Sequence, residues 1–567
     1  MKNRFRFKIA FIALILFYSI NCKPDENMTF FPLPMEGIPG NNGVDGSNGN
    51  SGSDGTAGAD GNVPTYTVSV TVTGLNGTLS LHNNGGDALS VTTNTSHSFS
   101  TGLTSGSPYE VSVASKPGNQ SCFVTNGSGI IEFANITGIS VACYDSGSIA
   151  ADFNAVDFGT TGFAAGNGYV VVECNCVNIA YGLSLSPSGK INMAGFATVG
   201  VQDAMTMWSF NANGSYGPFW PGVFYGTIGT IGYRGHAIAH DSSGRILVAG
   251  RGWNGTNFDM MLWRYHPDGQ IDTSFGVDGV VTYAGAGNGD DEGYGVAVDS
   301  QGRILVVGDL YVDATNGIDL AVWRFNPDGT LDKSFNEYGS VPGLYTRHSV
   351  AGGKDDFGRG IALKNSGFIV ATGFGGNASI NTDMIVVHLQ STGAHSTQFS
   401  HHNAAGGNGF DYGYSIAVDS SGRAIVSGSS SRGGDYDLAV WRLHYNGAGL
   451  DTTFNSTGYV THHSAAGALT SNDYGYGVTI DADGRILVTG ESQGTNIDMV
   501  VWRFNPDGSL DTDFDSDGFF VHDNAGGGSG NDSGRGIVTD AQGNIFVSGY
   551  SNATQGNDAM ALWKIRP

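Results

Sequence analysis

The feature that most constrains this chain is a block of about 59 residues that recurs seven times and leaves no room for another domain between copies. GYGVAVDSQGRILVVGD, starting at Gly293, and DLAVWRFNPDGTLDKSF, starting at Asp319, define the block. The position of Asp299 is filled in turn by Ser186, Asp241, Asp299, Lys364, Asp419, Asp481 and Asp540. Each copy offers four strand-like runs: a small-residue run such as Val296 to Asp299, an apolar run such as Ile304 to Val307, a run from Leu320 to Phe325 carrying Trp323, and Val280 to Tyr283 in the preceding linker. Four strands make one propeller blade, so the expected fold is all-β, a seven-bladed β-propeller over residues 149–567. The size gradient fits a wedge, because Ala and Ser recur where blades converge and Trp208, Trp263, Trp323, Trp441, Trp502 and Trp563 recur further out. Runs such as ILVVG are apolar at successive positions, as a strand covered on both faces requires.

Punctuation supports the same phase. Gly189, Gly244, Gly302, Gly367, Gly422, Gly484 and Gly543 occupy one turn in every copy, where a positive φ is expected. Asn-Pro-Asp-Gly at Asn326 and Asn505 suits a type I turn. The chain stops at ALWKIRP, where other copies continue into LDTTF, and the missing piece stands at the start of the array. Ile149 and Phe153 repeat the spacing of Leu450 and Phe454, and a strand-like run from Tyr169 to Glu173 follows. The N-terminal segment is therefore predicted to complete the last blade and remove two open sheet edges. GVAVDSQGRILVVG followed by DLAVWRFNPDGTLD resembles the bacterial delta-60 repeat family, which implies a propeller on a surface or secreted protein and no assigned reaction. The fourth copy departs from the pattern, with Lys364 for aspartate, Phe368 for arginine and Val387 for tryptophan.

The residues before the array divide by composition. A basic start, an apolar run from Ile9 to Ile20 and then Cys22 resemble a bacterial lipoprotein signal, 1–21, with acylation of Cys22 anchoring the mature protein; Asn21 departs from the usual small residue. An ordinary cleaved signal peptide or an uncleaved anchor are the alternatives, and all three export the chain; the lipoprotein reading places it, membrane-anchored, at the outer membrane or cell surface. After a tether, 22–36, glycine takes every third position from Gly37 to Gly61, a collagen-like Gly-X-Y stalk spanning 37–63. A flexible spacer on a monomer is expected there, with a trimer as the alternative. Residues 64–145 alternate, as in YTVSVTV and YEVSVAS, and predict a small antiparallel β-sandwich. The stretch SCFVTNGSGIIEFANITGISVAC resembles a bacterial surface-protein module. In an oxidising compartment Cys122 and Cys143, both in this domain, are expected to pair, while Cys174 and Cys176 are read as packed or mutually oxidised thiols.

Composition excludes some functions. The formal charge of −25 becomes −29 once Lys2, Arg4, Arg6 and Lys8 leave with the signal, a field that repels nucleic acid. No zinc-protease, Walker or serine-elbow motif is present. Asp513 to Gly518 starts like an EF-hand loop but has Asn524 at the twelfth position, so it reads as a turn.

Ligands of propellers usually bind where loops enter the innermost strands. Seven residues there vary between copies: Tyr181, His236, Tyr294, Arg359, Tyr414, Tyr476 and Arg535. Such variation suits a ligand, because a bound molecule breaks the symmetry of the ring. Asp203, Asp259, Asp319, Asp383, Asp437, Asp498 and Asp558 recur in every copy and are read as structural acceptors of backbone N–H groups. His348, His402, His463 and His522 are read as matching, solvated loop residues. No catalytic residue is assigned and no cofactor is required; calcium at Asp290-Asp291-Glu292 or Asp355-Asp356 is the ion considered. The expected role is a lipid-anchored surface or periplasmic protein binding a protein or glycan. The alternatives are a calcium-assisted hydrolase or lyase with its site at the channel mouth, and a structural envelope scaffold.

Overall fold

The structure, a computed structural model, describes residues 64–567 except 151–152, 154–167, 173–175, 200–201, 218–222, 226–231, 380, 468–470 and 554–555. The proposed signal, Cys22, tether, stalk and Cys174 lie outside the described residues. Those described are strands and turns with no helix, hence none long and apolar enough to cross a membrane.

Residues 169–565 form seven four-stranded antiparallel sheets of one design. In the third, Glu292–Val298, Ile304–Asp313, Gly317–Phe325 and Leu344–Arg347 pair in chain order. The first strand of each sheet packs against that of the next, and that of the seventh against that of the first. The architecture is all-β and propeller-type. One strand assignment is corrected: Val280–Tyr283 pairs with Phe258–Tyr265, so it is the outer strand of the preceding sheet. A chain leaving the third strand can fold straight back along that strand's free edge, whereas joining the next sheet would require crossing the blade interface. The seventh sheet takes its outer strand from the beginning of the array, where Tyr169–Val172 pairs with Asp558–Ile565. Ile149 bridges Ile565 as Leu450 bridges Leu443, and Phe153 is buried like Phe454.

The repeated letters find their causes in packing between sheets. Trp263, Trp323, Trp441, Trp502 and Trp563 are completely buried, each contributing roughly 1.5–3 kcal/mol of burial. The Arg that follows Trp is buried as well. Arg324 Nε donates to Asp332 Oδ2 at 2.8 Å, its guanidinium lies 4.6 Å over the Phe335 ring, and Nη1 reaches the Ser391 carbonyl of the next repeat. The same latch joins Arg264, Asp272 and Phe275, Arg442, Asp451 and Phe454, and Arg503, Asp511 and Phe514. This accounts for LDxSF, and the buried charge is tolerated because every guanidinium is ion-paired with its aspartate. In the turn between first and second strands, Asp299 Oδ1 accepts from the backbone of Gln301 and Arg303 and Oδ2 from Arg303 Nε, with Gly302 at φ 76°. In the fourth repeat Val387 replaces Trp, and Lys364 lies 3.4 Å from His388.

Residues 64–145 form two four-stranded sheets and a two-stranded one around a core that includes Val68, Val70, Val72, Leu79, Leu81 and Val141. One pair differs from the antiparallel expectation: Val68–Thr73 and Ile136–Asp145 run parallel, because alternation reports which face a residue occupies and not strand direction. Cys122 and Cys143, opposite one another across Gln120–Thr125 and Ile136–Asp145, are disulfide-bonded, and Cys176 is also in a disulfide. This small domain seats on the turn face of the repeats, where Ser121 Oγ donates to the Pro567 carbonyl at 2.6 Å and Gly147 N to the Arg566 carbonyl at 3.0 Å. Asp513 to Gly518 is a turn at this junction, with Asp515 N donating to the Ser146 carbonyl.

Candidate functional site

Each innermost strand pairs with its neighbour out of register by one residue, and the residue skipped is the same in all seven sheets. Gly293 faces Gly308 and Gly295 faces Val307, leaving Tyr294 as the extra residue of a β-bulge. Tyr181, His236, Arg359, Tyr414, Tyr476 and Arg535 are skipped in the same way. A bulge re-aims its side chain, and here it turns one residue per sheet toward a common axis. The glycine of each ILVVG-type run permits it: a Cβ on Gly308 would come within 1.8 Å of the Glu292 carbonyl oxygen. The small residue after each bulge lets neighbouring inner strands approach, since a Cβ on Gly295 would meet the Arg359 carbonyl at 3.1 Å.

All seven side chains singled out in the sequence line one open cavity of about 500 Å³ at the mouth of the channel. Below them Leu183, Ile238, Val296, Ile361, Ile416, Val478 and Ile537 make an aliphatic floor. The polar tier forms two arcs. In one, Tyr181 lies 5.5 Å from His236, His236 stacks on Tyr294 at 4.7 Å, and the Arg359 guanidinium caps the Tyr294 ring at 3.9 Å. In the other, Tyr414 lies 5.3 Å from Tyr476, whose ring carries the Arg535 guanidinium at 3.8 Å.

A second tier includes Arg234, Arg251, Asp309 and Glu491, which were not singled out in the sequence, with Asp203, read as a structural acceptor, and Glu292, considered only for calcium. Arg234 pairs with Asp203 at 2.5 Å, Arg251 with Glu292, Arg359 with Asp309 at 2.8 Å and Arg535 with Glu491 at 3.4 Å. Tyr294 Oη donates to Glu292 at 2.7 Å, and Tyr476 Oη and Ser533 Oγ donate to Glu491 at 3.0 and 2.6 Å. The signal for this tier was present: the position of Asp309 reads Phe196, Arg251, Asp309, Phe374, Ser429, Glu491 and Tyr550, as variable between copies as the first tier. Burial holds His236 below the usual histidine range, so its Nε2, 3.4 Å from Glu292 Oε2, is neutral at pH 7. Burial would raise Glu292, yet hydrogen bonds from His236 and Tyr294 and the charge of Arg251 keep it ionised. Asp309 is pushed up by burial to about 6 despite Arg359.

Two sets read from the sequence are reassigned. The strand-opening aspartates mostly brace side chains: Asp383 accepts from Asn377 Nδ2 at 2.6 Å, and Asp259 from Asn254 Nδ2 at 2.9 Å. Backbone N–H groups go instead to Asp291, just before an innermost strand, and to Asp356, Asp411, Asp473 and Asp532, at the start of or within one, all five buried. Asp290 and Asp355 likewise accept the backbone N–H of Phe258 and Ile318. Among the described residues no three His, Cys, Asp or Glu are grouped as a metal would need. The histidine register shifts by one: His522 matches His401 and His462, not His402 and His463. These three are half-buried and accept from Trp441, Trp502 and Trp563 Nε1 of the following sheet at 3.1, 3.2 and 3.3 Å.

Comparison with known proteins agrees with the repeats. The model described as a domain of unknown function, DUF5122 beta-propeller, matches residues 242–275, 300–335 and 482–514, and the beta-propeller repeat model SBBP matches 281–309 and 525–556. No curated protein matches. Among solved structures, a protein of unknown function from Dyadobacter fermentans is 12% identical, with 72% of this chain and 100% of that one covered and a TM-score of 0.38. Extracellular domains 1–2 of Drosophila Semaphorin 1b are 7% identical, covering 70% and 86%, TM-score 0.38. An α-L-arabinofuranosidase from Fusarium graminearum is 11% identical, covering 58% and 91%, TM-score 0.35. A pair of extracellular domains and an arabinofuranosidase at such distances transfer neither ligand nor reaction to this chain.

Proposed function

We propose that the seven sheets are the blades of one closed propeller whose channel mouth is the binding face of an exported, lipid-anchored protein that takes a protein or glycan ligand. The observation that carries this reading is the convergence of seven bulged side chains, four tyrosines, two arginines and one histidine, on one cavity, whereas the turn glycine is the same in all seven repeats. A scaffold has no need of a symmetry-broken mouth. Cys22 would hold the protein to a membrane and the Gly-X-Y tract would lift it away. The small domain occupies the opposite, turn face, which leaves the mouth accessible.

A photo-crosslinking residue placed at Tyr414 in the mouth, or at the exposed Tyr338 on the turn face, tests this in cells producing the full chain. Adducts from Tyr414 and none from Tyr338 are expected. Adducts from Tyr338 alone, or from neither, would sink the mouth as the binding face.

A hydrolase or lyase is the second reading, favoured by one observation: cross-strand partners Glu292 and Asp309 sit in one site with Glu292 ionised and Asp309 protonating near pH 6. Turnover of a glycoside or ester panel, lost in Asp309→Asn with unchanged folding, would establish it; an inactive wild type would remove it.

A further inference from the structure

Aromatic side chains continue outward from the mouth over the fourth, fifth and sixth sheets. Phe357 stacks on Phe374 at 4.9 Å, Phe374 meets Tyr412 edge-on at 4.9 Å, Tyr412 lies 6.1 Å from Tyr436, and Tyr436 lies 5.4 Å from Tyr474. The strip joins the channel, because Tyr412 stacks on Tyr414 and Tyr474 on Tyr476, each at 5.8 Å and within 10° of coplanar. All five strip residues are half-buried, so their edges are fixed while part of each surface stays open. The other four innermost strands carry no such row: the residue two before the bulged one is Ile179, Arg234, Glu292 or Ser533 there.

The charges at the mouth are balanced. Arg234, Arg251, Arg359 and Arg535 are each held by a carboxylate, and His236 is neutral. Among the described residues that line the cavity, every arginine is paired with a carboxylate and the one carboxylate, Glu292, with Arg251, so neither an anionic nor a cationic ligand finds an unpaired counter-charge there. A neutral polyhydroxylated ligand needs what is present. Each hydroxyl both donates and accepts, so it can bridge an arginine and its carboxylate, and the C–H faces of a sugar ring pack on aromatic faces. A cavity of about 500 Å³ is in the size range of small-ligand sites, roughly 300–1,000 Å³.

We propose that the mouth binds the end of a neutral saccharide chain, with the sugar units that follow lying along the strip Phe357, Phe374, Tyr412, Tyr436 and Tyr474. This rests on the mouth being the binding face and specifies its ligand. The test is binding of the full chain to an array of neutral and anionic oligosaccharides, repeated with Tyr412→Ala/Tyr474→Ala and Tyr412→Phe/Tyr474→Phe. Wild type is expected to retain neutral saccharides, the alanine pair to lose at least ten-fold in affinity, and the phenylalanine pair to stay within about three-fold. Retention of anionic saccharides alone, of no saccharide, or of neutral ones equally by the alanine pair would overturn the assignment. The crosslink at Tyr414 separates the two failures: a protein adduct there with an empty array rejects the saccharide and keeps the mouth, and no adduct rejects both.

Discussion

His522 shows how far one side chain's role departs from its place in a sequence pattern. It is half-buried, stacks edge-on with Tyr169 at 5.1 Å and accepts the Trp563 indole N–H, so its neutral form is the one that fits. Burial pushes it down to about 4, against the modest pull of Asp523. The unfolded chain therefore takes up this proton first, and the contribution of His522 is present above about pH 6.5 and lost as pH falls toward 4. Between pH 7 and pH 4 the stability gap between wild type and His522→Gln should narrow by about 3 kcal/mol in urea unfolding. A gap independent of pH would show that the histidine is not held neutral. Gly308 is the other residue whose role is steric. Its missing Cβ makes room for the bulge carbonyl of Glu292, so Gly308→Ala should destabilise by at least about 2 kcal/mol, whereas Ala321→Gly on the facing strand removes only a methyl group.

At the scale of strands, the seventh sheet depends on a segment from the other end of the array. Val170 and Val171 in Tyr169–Val172 are buried against Leu562 and Ala561 of Asp558–Ile565. Without that segment the third strand of the seventh sheet would expose an unpaired edge, a template for a second chain. Val171→Asp should release the segment, shift gel-filtration behaviour from monomer toward dimer and lower the unfolding midpoint; a monomer of unchanged midpoint would mean that the ring does not need this strand. The latch of Arg324, Asp332 and Phe335 works between sheets in the same sense, since Arg324 also reaches into the following repeat.

For the molecule as a whole, the repeats, the turn glycines, the Ile149–Phe153 echo and the Cys122–Cys143 bridge were legible in the sequence because each is fixed by local chemistry or by recurrence. The seven mouth residues were legible through their variation at a fixed phase. Asp309 and Glu491 were passed over although their position varies between copies as much as the mouth position, and Glu292 was considered only for calcium, because the bulge that brings them beneath the mouth is itself marked by no more than a glycine on the neighbouring strand. Strand direction left no mark at all, and the parallel pair Val68–Thr73 and Ile136–Asp145 was unforeseen. That pair has a mechanical consequence. A pull on the residues before Pro64 enters at the first end of Val68–Thr73, while the repeats hang from the far end of Ile136–Asp145. Parallel strands loaded at opposite ends slide along their length, so every cross-strand hydrogen bond resists at once instead of opening one after another. The small domain is thereby a shear coupling between the residues before Pro64 and the repeats.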